Sequence, residues 1–172
     1  MSKAVLISIR PKWCELIASG HKTIEVRKTR PNLKTPFKCY IYCAKDNKAQ
    51  FWIANTYFYL DDHSHNAFDK CGNGAVVGEF VCDTIIKDNT CGRDDLFNGA
   101  ACLAQVTATG YASGKPIYGW HISALKIYDT PRMLSEFRSY NTLVDFEQGY
   151  PMPTHGIRRP PQSYMYVEEL TT

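Results

Sequence analysis

Lys22, Glu25 and Arg27 fall within the run Ser19-Gly20-His21-Lys22-Thr23-Ile24-Glu25-Val26-Arg27-Lys28, and side chains of these types at this spacing can hold a phosphate or orient a base. Arg offers a planar fork of donors and Lys a mobile point charge, so either can neutralise a phosphate or polarise a carbonyl. Glu25 can orient one of the cations or accept from the amino group of a base. The plainer alternative is an ion pair between Glu25 and Arg27 that fixes an edge of the fold with little energetic effect. A period of two puts Thr23, Glu25 and Arg27 on one side of a strand and Ile24 and Val26 on the other. The branched pair is then expected in a core, with the ionic pair facing away. Gly20 suits the left-handed residue that ends a helix, leaving His21 and Lys22 on the turn beside the ionic face.

Further candidates lie elsewhere in the chain. Arg10 precedes a helix, is a poor cap for it, and therefore suggests another use. Trp120 and His121 are adjacent, so on a strand they face opposite sides, and one can be core while the other meets ligand. Stacking of a base on an aromatic ring contributes on the order of 1–3 kcal/mol, which makes Trp13, Tyr118 and Trp120 candidate platforms; Trp in an aromatic-rich chain is also a common core anchor. His121, as a histidine, is eligible for proton transfer, or serves as a hydrogen-bonded structural residue. Glu79 is a further possible site carboxylate.

Asp61, Asp62, His63, His65, Asp69 and Cys71 include enough ligand types for a divalent metal, but they match no known spacing, and a solvated loop with no metal is expected. Cys39 and Cys43 would lie roughly 13 Å apart on a strand, too far to share one ion. No Gly-x-Ser-x-Gly elbow is present, and Cys71-Gly72-Asn73-Gly74 lacks the Lys-Ser/Thr ending of a phosphate-cradling loop. No cofactor is implied.

The 172 residues are enough for a single domain with a sizeable core. Apolar residues make up 44% and charged residues 22%, with eleven Tyr, eight Phe and three Trp, a composition that argues against disorder. No apolar run approaches the roughly 20 residues of a membrane helix, and Met1-Ser2-Lys3 leads into a strand-like pattern, so a cytoplasmic protein without a membrane partner is expected. Seven scattered cysteines do not form a disulfide framework, and most are expected reduced and buried. The net charge of +3 conceals a basic end: residues 1–38 carry nine Lys or Arg against two Glu. Arg10, Lys12, Lys22, Arg27, Lys28 and Arg30 can attract a phosphate-bearing partner, or form a solvated face.

These side chains need elements to position them. Residues 4–9 alternate as a strand with Val5, Ile7 and Ile9 on one face, and Pro11 opens a helix over 11–19 with Trp13, Leu16 and Ile17 together. Strands are expected at 37–44, 76–86 and 161–168, and at 117–128 with a bulge where the apolar phase switches. Helices are expected at 93–106 and 130–137. The aromatic island around 51–60 reads as an insertion packed over the fold, or as an adaptor surface if it is exposed. Roughly six strands and few helices predict an α+β fold, a small mixed β-barrel with short helices over its ends.

Ser8-Ile9-Arg10-Pro11 before the helix, Gly20-x-Lys22-x-x-Glu25-x-Arg27 after it and Gly119-Trp120-His121 later resemble the ASCH domain, a branch of the PUA-like fold. Gly78-Glu79-Phe80 and Arg159-Pro160-Pro161-Gln162-Ser163 resemble elements of bacterial and phage members. The resemblance spans most of the chain and implies a single PUA-like β-barrel over 1–172, with insertions at 45–74 and 88–115. It also implies a cleft that receives RNA, a nucleotide or a nucleoside. On this basis Arg10, Lys22, Glu25, Arg27, Trp120 and His121 are the expected ligand-binding residues. Some relatives resemble acetylcytidine amidohydrolases, which use the Lys of this motif with a Thr three residues later and a distant Glu; here Glu25 stands at the Thr position. An enzyme of that kind, or a ribonuclease, is the alternative, with Lys22 and Glu25 catalytic.

Overall fold

The computed structural model describes residues 2–53, 70–89, 99–102, 110–140 and 156–170. Its first strand, β1 (Lys3–Ile9), is buried on both faces: Val5, Ile7 and Ile9 enter one apolar cluster, Ala4 and Leu6 another. One apolar face was expected; the second is buried because β1 lies inside a five-stranded sheet. It pairs in parallel with β3 (Phe37–Cys43) and antiparallel with β10 (Tyr164–Glu168). Beyond β3 come β6 (Val76–Cys82) and then β9 (Ser123–Arg132) at the edge.

The parallel β1–β3 pair requires a crossover, and the crossover carries the charged run. Helix α1 (Pro11–Ala18) starts with Pro in its first turn and buries Pro11, Cys14 and Ile17, while Trp13 is half-buried. Gly20 follows at φ +77°, where its lack of a Cβ admits the reversal, and the Lys22 amide returns to the Leu16 carbonyl at 2.8 Å. The chain then enters β2 (Ile24–Arg27).

β2 belongs to a second sheet, ordered β2, β8 (Ile117–His121), β7 (Ile85–Asp88). The chain crosses from the first sheet to the second at Asp83–Thr84, between β6 and β7, and returns at Ile122, between β8 and β9. These two corners replace the single strands expected at 76–86 and 117–128. The phase switch after Ile122 is therefore a change of sheet, with Ala124 at φ +46°, and register irregularities accompany the β6–β9 pairing. Between the sheets lies the main core, where Trp120 and Phe80 are 0% and 1% exposed beside Phe37 and Ile122.

The helix expected over 130–137 is a correction: β9 runs through Pro131 to Arg132, and only Leu134–Glu136 form a 3-10 turn. An edge strand tolerates the missing N–H of Pro. The strand-rich α+β fold with few helices holds, and none of the sheets closes on itself among the described residues. A short hairpin, β4 (Trp52–Ile53) with β5 (Lys70–Cys71), stands at the ends of the 45–74 segment. Phe51 and Ile53 enter the main core, while Trp52 is half exposed. Residues 54–60 of the aromatic island, the 61–69 metal candidates and most of the 93–106 helix lie outside the described residues. Among the described residues no helix is long and apolar enough to cross a membrane, and no group of potential ligands could hold a metal.

Candidate functional site

β2 alternates as expected, but both of its faces are covered. Ile24 and Val26 pack with Ala101, Ala112 and Ile117 in a small cluster of their own. Glu25 and Arg27 point the other way, not to open solvent but into a cleft between the start of α1, the end of β1 and the segment around Gln162. Residue exposures of 4%, 6% and 8% for Lys22, Glu25 and Arg27 make this an enclosed charged cluster.

Glu25 is its centre. Lys22 Nζ lies 3.4 Å from Glu25 Oε2, and Arg27 Nη2 lies 3.0 Å from Glu25 Oε1. Lys22 Nζ also donates to the carbonyls of Ile24 and Ala101, each at 2.7 Å, so its three protons have acceptors. Arg27 Nη2 donates to the Ser8 carbonyl at 2.6 Å, whereas the buried Arg27 Nε has no partner among the described residues. Burial lowers the pKa of Lys22, against the opposing pull of Glu25. The ammonium therefore ties β2 to residue 101 and steadies Glu25, while spare capacity for a ligand resides in the Glu25 oxygens and Arg27 Nε.

The cleft holds about 450 Å³, within the size range of small-molecule sites. Ser8, Arg10, Trp13, Lys22, Glu25 and Arg27 line it, joined by Tyr111 and Gln162. Arg10 occupies the position before α1 without a side-chain capping bond and is exposed, so its guanidinium is available at the mouth. Trp13 has the Lys12 and Lys22 ammoniums each 5.2 Å from its ring centre, and Tyr111 has Lys28 at 4.8 Å. Ser8 holds the far wall: its hydroxyl donates to the Pro161 carbonyl at 2.6 Å and its amide to the Ser163 carbonyl at 2.9 Å. Beneath the cleft, Cys14 packs against Cys43; a hydrogen bond between the thiols and burial both raise the Cys14 pKa.

Thus Arg10, Lys22, Glu25 and Arg27 converge, and Trp13 joins them. Trp120 does not. It is 0% exposed, its ring edge-on to Phe37 at 6.0 Å and to Tyr164 at 5.3 Å, which leaves no face for a base. Its partner across β2 is Glu25, but its side chain belongs to the core between the sheets. His121 lies outside the cleft and pairs with Asp83, Nδ1 to Oδ1 at 2.7 Å. Tyr118 packs against the main core, outside the cleft lining. Glu79 is also elsewhere: it accepts from the Tyr128 hydroxyl at 2.6 Å and lies 3.6 Å from Lys38.

The sequence reading missed Tyr111, which sits in a turn-rich stretch with no pattern tying it to residues 10–27. Gln162 was visible only as part of the Pro160-Pro161-Gln162-Ser163 run.

No protein-family model matches the sequence, and no curated protein matches it at a significant level. Solved structures do match. A Tyr-to-Phe mutant of the ASCH protein from Zymomonas mobilis aligns with a TM-score of 0.61 and 16% identity over 98% of this chain and 92% of that one. The unmutated Zymomonas mobilis ASCH protein aligns at 0.59 and 16% identity over 96% and 88%.

Proposed function

We propose that the chain, which has the ASCH-domain fold, is a PUA-like module that binds RNA or a nucleotide in the cleft around Glu25. The observation that carries this reading is the Glu25 carboxylate held between Lys22 and Arg27 at the inner end of a cleft with an exposed Arg at its mouth. A base amino group or a sugar hydroxyl would donate to Glu25, a base carbonyl would accept from Arg27 Nε, and Arg10 would meet a phosphate. Tyr111, 38% exposed, would offer its ring to the base in exchange for Lys28. The fold likeness to an ASCH protein agrees with this assignment.

Fluorescence binding of a labelled single-stranded RNA and competition by the four ribonucleosides, each at two salt concentrations, tests the reading. Salt-sensitive RNA binding that is lost in Arg27→Ala is expected; no binding of RNA or nucleoside overturns it.

The placement of Lys22 against Glu25 at the inner end of the cleft, with burial lowering the lysine pKa, favours a second reading, hydrolysis of a modified nucleoside such as acetylcytidine, or ribonuclease action. Lys22 and Glu25 would then be the catalytic residues. Turnover of acetylcytidine or labelled RNA that disappears in Lys22→Ala would establish it, and binding without turnover would reject it.

A further inference from the structure

The cleft does not end at Gln162. A second depression of about 680 Å³ adjoins it and shares Ser8, Ala44 and Gln162 as its boundary. Its remaining wall includes Lys45 and Arg158, both exposed, and no acidic side chain lines it among the described residues. Neither cation has an ion-pair partner among the described residues, in contrast to Lys22 and Arg27 next door.

Two features make this a shaped surface. The Lys45 stem lies flat across Gly74: a Cβ there would stand 2.8 Å from Lys45 Cε, and Gly74 is at φ +83°. Gly74 therefore leaves the room the lysine occupies. On the opposite side, Pro160-Pro161 stiffens the wall, and the Ser8 bonds to the 161–163 backbone fix the boundary between the two depressions. At the rim Met133, 65% exposed, offers an apolar ledge.

We infer that the second depression is a subsite for the phosphodiester and sugar of the nucleotide next to the one held at Glu25, so that the protein prefers a single-stranded nucleic-acid segment to a free nucleoside. The inference rests on the nucleotide reading of the first cleft. Two exposed cations, unpaired among the described residues and facing a depression continuous with a base-sized cleft, suit a phosphodiester, which carries a charge at every step along a strand. The Met133 ledge suits the apolar face of a sugar or base.

The test uses the full chain, a fluorescein-labelled RNA hexamer of mixed sequence, and the four free ribonucleosides as competitors. Lys45→Ala/Arg158→Ala should weaken hexamer binding by at least about tenfold and flatten its salt dependence by roughly 1.4 in log–log slope, about 0.7 per lost single-strand contact. Nucleoside binding should stay within about twofold of the parent, and a thermal melt should show the variant folded, since both side chains are exposed. As a charge control, Lys115→Ala/Lys126→Ala removes two exposed cations that line neither depression. Hexamer binding equal to the parent, or an equal loss in the control, overturns the subsite while leaving the first cleft intact. Failure of the parent to bind hexamer or nucleoside removes the nucleotide reading itself.

Discussion

Lys22 Nζ and Glu25 Oε2 meet at 3.4 Å with side-chain exposures of only 4% and 8%, three residues apart across the entry to β2. An ion pair this enclosed escapes most solvent screening, and each member depends on the other for compensation. Removing one leaves the other charge stranded.

Lys22→Met is therefore expected to destabilise the protein by about 3 kcal/mol, because the Ile24 and Ala101 carbonyls lose their donor as well as Glu25 its cation. Urea unfolding measures this. A loss below about 1 kcal/mol would mean that the cluster reorganises freely.

Arg10→Ala should behave in the opposite way. Its side chain is exposed at the cleft mouth and caps nothing, so stability should change by no more than about 0.5 kcal/mol. The log–log salt slope of RNA binding should fall by roughly 0.7. An unchanged slope would remove Arg10 from the binding surface.

The contrast between these two variants shows what the sequence could convey. Alternation along 23–27 correctly separates Ile24 and Val26 from Glu25 and Arg27, because a strand must alternate whatever surrounds it. The enclosure of the ionic face was not legible: its cover comes from Ser8, Trp13, Tyr111 and Gln162, of which Ser8 and Gln162 are brought together by the pairing of β1 with β10. Adjacent Trp120 and His121 were sure to face opposite sides, but the pattern does not say which side is core, and the ring chosen as a platform proved to be filler between sheets. The loss of period after Ile122 signalled a break, and a bulge and a corner produce the same break in one dimension.

Gly78→Ala tests the close approach of β6 and β9. A Cβ there would stand 2.5 Å from the Lys126 carbonyl oxygen and 3.1 Å from Ile127 Cδ1, and the first of these is backbone that cannot swing aside. Destabilisation of about 1–3 kcal/mol is expected in the same unfolding assay. A neutral result would mean that the edge strand yields.

The His121–Asp83 pair governs an acid limb. The hydrogen bond from His121 holds the Asp83 carboxyl below its ordinary 3.8. A pKa lowered by folding adds stability that is complete above the ordinary value and is lost as pH falls through the lowered one. Carboxyl-detected NMR should show Asp83 titrating below 3.8, and His121→Ala should return it upward. Identical titration in the parent and the variant would discount the bond.

Thiol reactivity should divide by burial. Cys82 is pushed up to about 12 by desolvation, and Cys39 is raised well above the usual thiol range by the same cause, whereas Cys71 is exposed. Iodoacetamide at pH 8 should label Cys71 in the native protein and spare Cys39 and Cys82 until urea is added, as read by peptide mass spectrometry. Native labelling of Cys82 would contradict the packing.

β10 is among the last described segments of the chain, yet it lies against β1, one of the first, and the stretch just before it supplies Gln162 to the cleft and the Pro161 carbonyl to the Ser8 hydroxyl. During synthesis the charged residues of β2 therefore leave the ribosome long before the wall that will enclose them. Until that wall arrives, the nascent chain presents Lys22, Glu25 and Arg27 to water, and the enclosure of the charged cluster waits on the emergence of β10 and the stretch before it.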